Sequence, residues 1–138
     1  MKFLTFSHDG QPSFGAVIDG GVIDLGKRHT DIPDLRQAIR DNRLGELAVE
    51  ASGADADYSI EEVTFLSTIP NPEKVICIGV NYANRNAEYK DGSEAPKYPS
   101  VFMRTRESLT GLEQPLMDPP ESDQLDYEGE IVIVIGKE

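Results

Sequence analysis

The sequence predicts an α+β fold in two parts. A small N-terminal α+β domain covers residues 1–70, and a β-rich domain that reads as truncated covers 71–138. Three observations predict it. Short alternating apolar runs separated by Gly-containing turns fill the first 25 residues, which is hairpin patterning. Apolar residues at helical spacing follow between positions 35 and 51. Beyond the Pro-punctuated joint Ile69-Pro70-Asn71-Pro72, the apolar runs are mainly of strand length.

The elements follow in order. Met1 to Phe6 alternates loosely, and His8-Asp9-Gly10-Gln11-Pro12 is turn material. Phe14 to Asp19 predicts a second strand, Asp19-Gly20-Gly21 a tight turn, and Val22 to Leu25 a third strand. Asp31-Ile32-Pro33-Asp34 opens a helix, with acidic residues and Pro in its first turn. Leu35, Ala38 and Ile39 share one helical face. Leu44, Leu47, Ala48 and Ala51 repeat at i, i+3, i+4 and i+7 and predict another helix, which Ser52-Gly53-Ala54-Asp55-Ala56-Asp57 ends. Val63 to Leu66 reads as a short strand.

In the second part, Lys74 to Val80 predicts a buried strand and Asn81 to Lys90 a short helix or ordered loop. Asp91 to Pro99 is a loop, Ser100 to Arg104 a strand, and Thr110 to Gln124 a Pro-rich loop. A last strand starts near Leu125 and runs through five β-branched residues, Ile131 to Ile135. So apolar a strand is normally covered on both faces and paired on both edges. Little chain remains to do that, so the sequence reads as the N-terminal part of something longer.

Composition narrows the function. The chain has 138 residues and a net charge of −12, from 25 acidic and 13 basic side chains. Nucleic acid and anionic membrane surfaces need a basic footprint, so neither is an expected partner. No apolar run approaches the length of a membrane span, and the N-terminus lacks a secretory signal. A cytoplasmic protein is the expectation. Cys77 is the single cysteine; a small buried hydrophobe is its simplest reading. His8, in a turn, and His29, near a helix start, read as surface residues.

The stretch Leu125-Asp126-Tyr127-Glu128-Gly129-Glu130 raises the chemical question. Alternation along a strand puts Asp126, Glu128 and Glu130 on one face, about 7 Å apart in sequence steps of two. Like charges so placed repel. A solvated strand end relieves the repulsion, and so does a hard divalent cation, which prefers carboxylate oxygens. At the mouth of an apolar strand, carboxylates lose solvent and need a partner.

Two motifs together point to a family. Lys74 to Tyr89, KVICIGVNYANRNAEY, resembles the opening of the catalytic domain of the fumarylacetoacetate hydrolase (FAH) family. Leu125 to Lys137, LDYEGEIVIVIGK, resembles that family's metal-binding strand, and Pro99 to Gly111 its connecting segment. Residues 1–70 are similar to the N-terminal domain of many bacterial members. The resemblance implies a divalent-metal enzyme acting on small 2-oxo and 1,3-dicarbonyl acids, as in aromatic-compound catabolism. C–C hydrolysis is the first expectation; isomerisation or decarboxylation on the same scaffold is the alternative. It implies Mg²⁺ or Mn²⁺, with Ca²⁺ as a further hard cation, held by Glu128 and Glu130. Glu88 matches a water-activating glutamate, and Arg104 stands where a cation meets the substrate carboxylate. A homodimer is the expected assembly.

Two departures stand out. The family usually has Asp-His where this chain has Asn84-Arg85, and arginine accepts no proton. Arg85 is therefore no base, though its planar fork suits a second carboxylate. The third family ligand, an Asp on a later strand, lies beyond residue 138; Asp126 is a candidate substitute. Plainer readings stay open: Arg85 and Glu88 as an exposed helix pair, Arg104 as surface charge balance, and the chain as a non-catalytic fragment or assembly module.

Overall fold

The computed structural model describes residues 1–81, 97–125 and 130–136. It contains both strands and helices, as the α+β expectation requires, and divides into two compact units. One comprises Met1–Pro70 with Thr110–Glu138, the other Asn71–Leu109.

The first unit is built on a five-stranded antiparallel sheet. Its strands are β1 (Lys2–His8), β2 (Gln11–Ile18), β3 (Gly21–Asp24), β4 (Tyr58–Ser59) and β5 (Thr64–Phe65), in the order β4-β3-β2-β1-β5. Two tight turns set the register. Asp9 (φ 51°) and Gly10 (φ 76°) join β1 to β2, and Gly20 (φ 79°) turns β2 into β3. Left-handed backbone at these points matches the twist of paired strands. His8 then faces Gln11, and Ile18 faces Gly21.

Strand alternation divides the side chains between two apolar layers. Phe14, Ala16 and Ile23 point to one face. There Leu25, Ile32, Leu35, Ala38, Leu47 and Ala51 close over them. Three helices supply this cover: α1 (Leu25–Arg28), α2 (Leu35–Arg40) and α3 (Leu44–Ser52). Leu4, Phe6 and Val22 point the other way and pack with Val63, half-covered by Val17, Tyr58, Ile60 and Phe65. Gly15 belongs to this second face. A Cβ there would overlap the Ile23 carbonyl oxygen and press on the Phe6 ring, so only glycine lets β2 and β3 approach.

Helices α1 and α2 start where a side-chain acceptor takes up an exposed N–H group. Asp34 caps α2 by accepting from the Gln37 amide at 2.7 Å; the helix begins only at Leu35, so the acidic residues and Pro33 expected in its first turn precede it. The strand expected over Val22 to Leu25 instead ends at Asp24, because Asp24 accepts from the Lys27 amide at 3.0 Å and turns Leu25 into α1.

Asp24 is 2% exposed and does more than cap. Its carboxylate accepts from Ser13 Oγ on β2 at 2.5 Å and from Tyr58 Oη on β4 at 3.4 Å. Its own N–H donates to Asp57 Oδ2 at 2.7 Å. Asp57 in turn accepts from Arg28, at 3.0 and 3.1 Å. Lys27 bonds the Tyr58 hydroxyl, which holds its ammonium above the usual lysine range. A second clasp joins His29 Nε2 to Glu50 Oε2 at 2.6 Å, fastening the end of α1 to α3.

The second unit contains β6 (Val75–Gly79) and β7 (Ser100–Arg104), paired antiparallel with Val75 opposite Arg104 and Gly79 opposite Ser100. Two expectations need correction here. The Lys74 to Val80 strand is not buried: Ile76 and Ile78 are 57% and 40% exposed, and Cys77 is half-buried. A two-stranded ribbon covers an edge of each strand but neither face.

The second correction concerns the last strand. Residues 130–136 join neither sheet, and Ile131, Val132, Ile133, Val134 and Ile135 are 87%, 81%, 79%, 49% and 85% exposed. Strand geometry rests on a ladder partner, and among the described residues this segment has none. The helix or loop expected over 81–90 lies, from residue 82 on, outside the described residues. Among the described residues no helix is long and apolar enough to cross a membrane.

Two outcomes follow from this packing. Asp24→Ala strands Ser13, Tyr58 and the Lys27 amide, so urea denaturation should show about 2–4 kcal/mol less stability; an unchanged midpoint would contradict the hub role. Glu62 Oε2 accepts from the Ser59 amide at 2.8 Å in a capping box, which holds its carboxyl below the usual 4.5. Because the folded value is depressed, this contribution is present above pH 4.5 and is lost as pH falls through the lower folded value. The Ser59 amide resonance should therefore titrate with a midpoint below 4.5 and lose that step in Glu62→Gln. A midpoint at or above 4.5 would contradict the cap.

Candidate metal and substrate site

The site residues expected from the sequence fall in three places. Arg85 and Glu88 lie outside the described residues, as does Glu128 together with Asp126. Arg104 belongs to the β6–β7 unit and Glu130 to the first.

Arg104 occupies the last position of β7 and is exposed. Alternation puts it on the same face as Phe102 and Ser100, across from Val75, Cys77 and Gly79. Its guanidinium lies 5.4 Å from the centroid of the Phe102 ring. A ring face attracts a cation without neutralising it, so the guanidinium keeps its donors for an anion. Among the described residues it meets no carboxylate. Arg106, two residues on, is different. Its Nε bonds Glu107 Oε1 at 2.7 Å, and that bond holds the Glu107 carboxyl below its usual range. The two arginines look alike in sequence, and among the described residues only Arg106 is paired with a carboxylate. Phe102 is the positioning side chain that sequence reasoning missed; an aromatic two positions before an arginine on one strand was its signal.

The other end of the ribbon carries backbone strain. Val80, directly after β6, has φ 56°. Left-handed backbone is rare for a β-branched residue and costs on the order of 1–3 kcal/mol. It lies inside the Lys74 to Tyr89 motif. A stiff side chain held in that conformation marks a point where the direction of the chain matters more than local comfort. No pattern in the sequence announces it, since valine argues for continued strand.

Glu130 is exposed and makes no hydrogen bond or ion pair among the described residues. Its carboxylate oxygens are accordingly available as hard donors, which fits a divalent cation. Among the described residues no three His, Cys, Asp or Glu side chains gather as a metal-binding group. The pairing of Glu130 with Glu128 therefore rests on the family motif.

Comparison with known proteins bears on the same residues. Residues 74–138 match the family model described as fumarylacetoacetate (FAA) hydrolase C-terminal. The mitochondrial oxaloacetate tautomerase Fahd2a of Rattus norvegicus is 33% identical over 144 residues, an alignment covering 99% of this chain and 45% of the relative. The mitochondrial oxaloacetate tautomerase fahd2 of Xenopus laevis is 33% identical over 147 residues, covering 99% and 44%. The chain thus spans a little under half the length of these curated relatives. Among solved structures, a candidate HpcE protein from Mycobacterium smegmatis superposes with a TM-score of 0.61 at 24% identity, over 84% of this chain and 40% of that one; this likeness shows the fold. Residues 74–138, which carry both motifs, are a segment of the fumarylacetoacetate hydrolase family.

Proposed function

We propose that the protein catalyses keto–enol isomerisation of a small 2-oxo dicarboxylic acid, with a divalent cation held by Glu128 and Glu130. The observation that carries this reading is the likeness to oxaloacetate tautomerases across 99% of the chain. Arg85 points the same way. C–C hydrolysis needs water activated by a base, and an arginine at the usual histidine position removes half of the family's dyad. Isomerisation moves a proton between carbon and oxygen and needs no attacking water.

Each residue then has a task. Glu128 and Glu130 present carboxylate oxygens to Mg²⁺ or Mn²⁺. A cation held there would supply Lewis-acid polarisation of a carbonyl oxygen. Glu88 is the proton carrier at the carbon next to the carbonyl. Arg104, resting on Phe102, binds the carboxylate beside the 2-oxo group. Arg85 takes the second carboxylate by a bidentate contact and so selects dicarboxylates.

The test is the decay of enol absorbance for oxaloacetate, followed with Mn²⁺ and the 138-residue chain. The rate should exceed that of Mn²⁺ alone, and Glu128→Ala or Glu130→Ala should lower it about 100-fold. Arg85→Ala should raise KM for the dicarboxylate about tenfold and leave a monocarboxylic 2-oxo acid unchanged. No acceleration above free Mn²⁺, or an equal effect of Arg85→Ala on both acids, would contradict the proposal.

A further inference from the structure

Gly111 closes the connecting segment Pro99 to Gly111 and has no task in the proposed isomerisation. The structure sets it against β5, the edge strand next to β1. The Leu66 amide donates inward to the Thr5 carbonyl at 3.0 Å. Backbone groups alternate along an edge strand, so the Phe65 carbonyl faces outward from the sheet. Gly111 lies on that carbonyl. A Cβ at Gly111 would overlap the Phe65 oxygen and stand 2.6 Å from the Phe65 carbonyl carbon and 2.9 Å from Leu66 Cα. All three are backbone atoms, which cannot swing aside as a side-chain tip can. A tight turn completes the seat: the Gln114 amide donates to the Gly111 carbonyl at 3.3 Å, with Glu113 at φ 60°.

We propose that Gly111 is a positioning residue for Arg104, an inference that rests on the reading of Arg104 as the partner of the substrate carboxylate. Arg104 holds the last ladder position of β7, opposite Val75. A ribbon of two strands frays at its ends unless the chain beyond is held. Here the chain beyond is short and braced. The amides of Ser108 and Leu109 donate to the carbonyls of Thr105 and Arg106, each at 3.1 Å. Ser108 Oγ donates to the Thr105 carbonyl at 2.7 Å. Only Leu109 and Thr110 separate the 3-10 turn Arg106–Ser108 from Gly111. Few free torsions remain between β7 and the Gly111 seat. Arg104 is restrained by its ladder with β6 on one side and by that seat on the other. An arginine restrained before its ligand arrives loses less conformational entropy on binding. The gain falls on affinity for the carboxylate, not on proton transfer.

Gly111→Ala should therefore raise KM for oxaloacetate about fivefold and leave kcat within about twofold. In an Arg104→Ala background the same substitution should change KM by less than about twofold, because the residue it acts through is gone. The steady-state ¹H–¹⁵N NOE of the Arg104 amide gives a second readout. It should fall in Gly111→Ala, and also in Ser108→Ala, which removes one bond from an exposed turn and leaves the apolar clusters untouched. The Gln37 amide, in the capped start of α2, should keep its value in both variants. This readout needs neither substrate nor metal. A chain without tautomerase activity would therefore defeat the keto–enol reading, while the Arg104 NOE would still decide this one. An unchanged Arg104 NOE in either variant overturns the proposal, as does an equal fall at Gln37. So does a loss of kcat that matches the loss of kcat/KM, or a full fivefold rise of KM in the Arg104→Ala background.

Discussion

The first unit depends on a buried carboxylate. Asp24 sits at the end of β3, where a strand must stop and a helix must begin, and it is almost fully removed from water. A lone buried charge is costly, and its cost is offset only by partners. Ser13, Tyr58 and the Lys27 amide supply them from β2, β4 and α1. The same group therefore fixes the edge of the sheet, the start of a helix and the path of the chain returning at Asp57. Between the two apolar layers, Asp24 and its partners tie β2, β3, β4 and α1 together.

Much of this was legible because it is periodic or punctuated. The hairpins of β1 to β3 follow from alternation and from Gly10 and Gly20 at positive φ. The start of α2 follows from Asp34, and the buried stripe of α3 from Leu47 and Ala51. What escaped reading lacks a period. Helix α1 has four residues, too few for a 3.6-residue repeat, and its cap looked like the end of a strand. Strand β4 has two residues, and tertiary bonds through Asp57 and Tyr58 place it. Val80 was illegible because a β-branched side chain favours the strand that its backbone abandons. The exposure of Ile131 to Ile135 runs against its own composition, since five such residues in a row ordinarily mean burial.

The candidate site was legible to a different degree. Two motifs in the right order pointed to the family, while the pairing of Glu128 with Glu130 rests on the motif, because Glu128 lies outside the described residues. The choice between Arg104 and Arg106 was not available from sequence. It took the Phe102 ring beneath one and Glu107 beside the other to distinguish a guanidinium that meets no carboxylate among the described residues from one already paired. Arg85 is informative for the opposite reason: its chemistry is fixed whatever surrounds it, because it stays charged and gives no base.

The central claim is that Glu128 and Glu130, two positions apart in the sequence, share one divalent cation. The most direct measurement is NMR of the chain labelled with ¹³C at the glutamate carboxyl carbons, with Mn²⁺ added well below one equivalent. Resonances of Glu128 and Glu130 should broaden together and first, recovering when a chelator is added, while Glu61 and Glu107 stay sharp. Uniform broadening across the acidic surface, or loss of only one of the pair, would contradict the account.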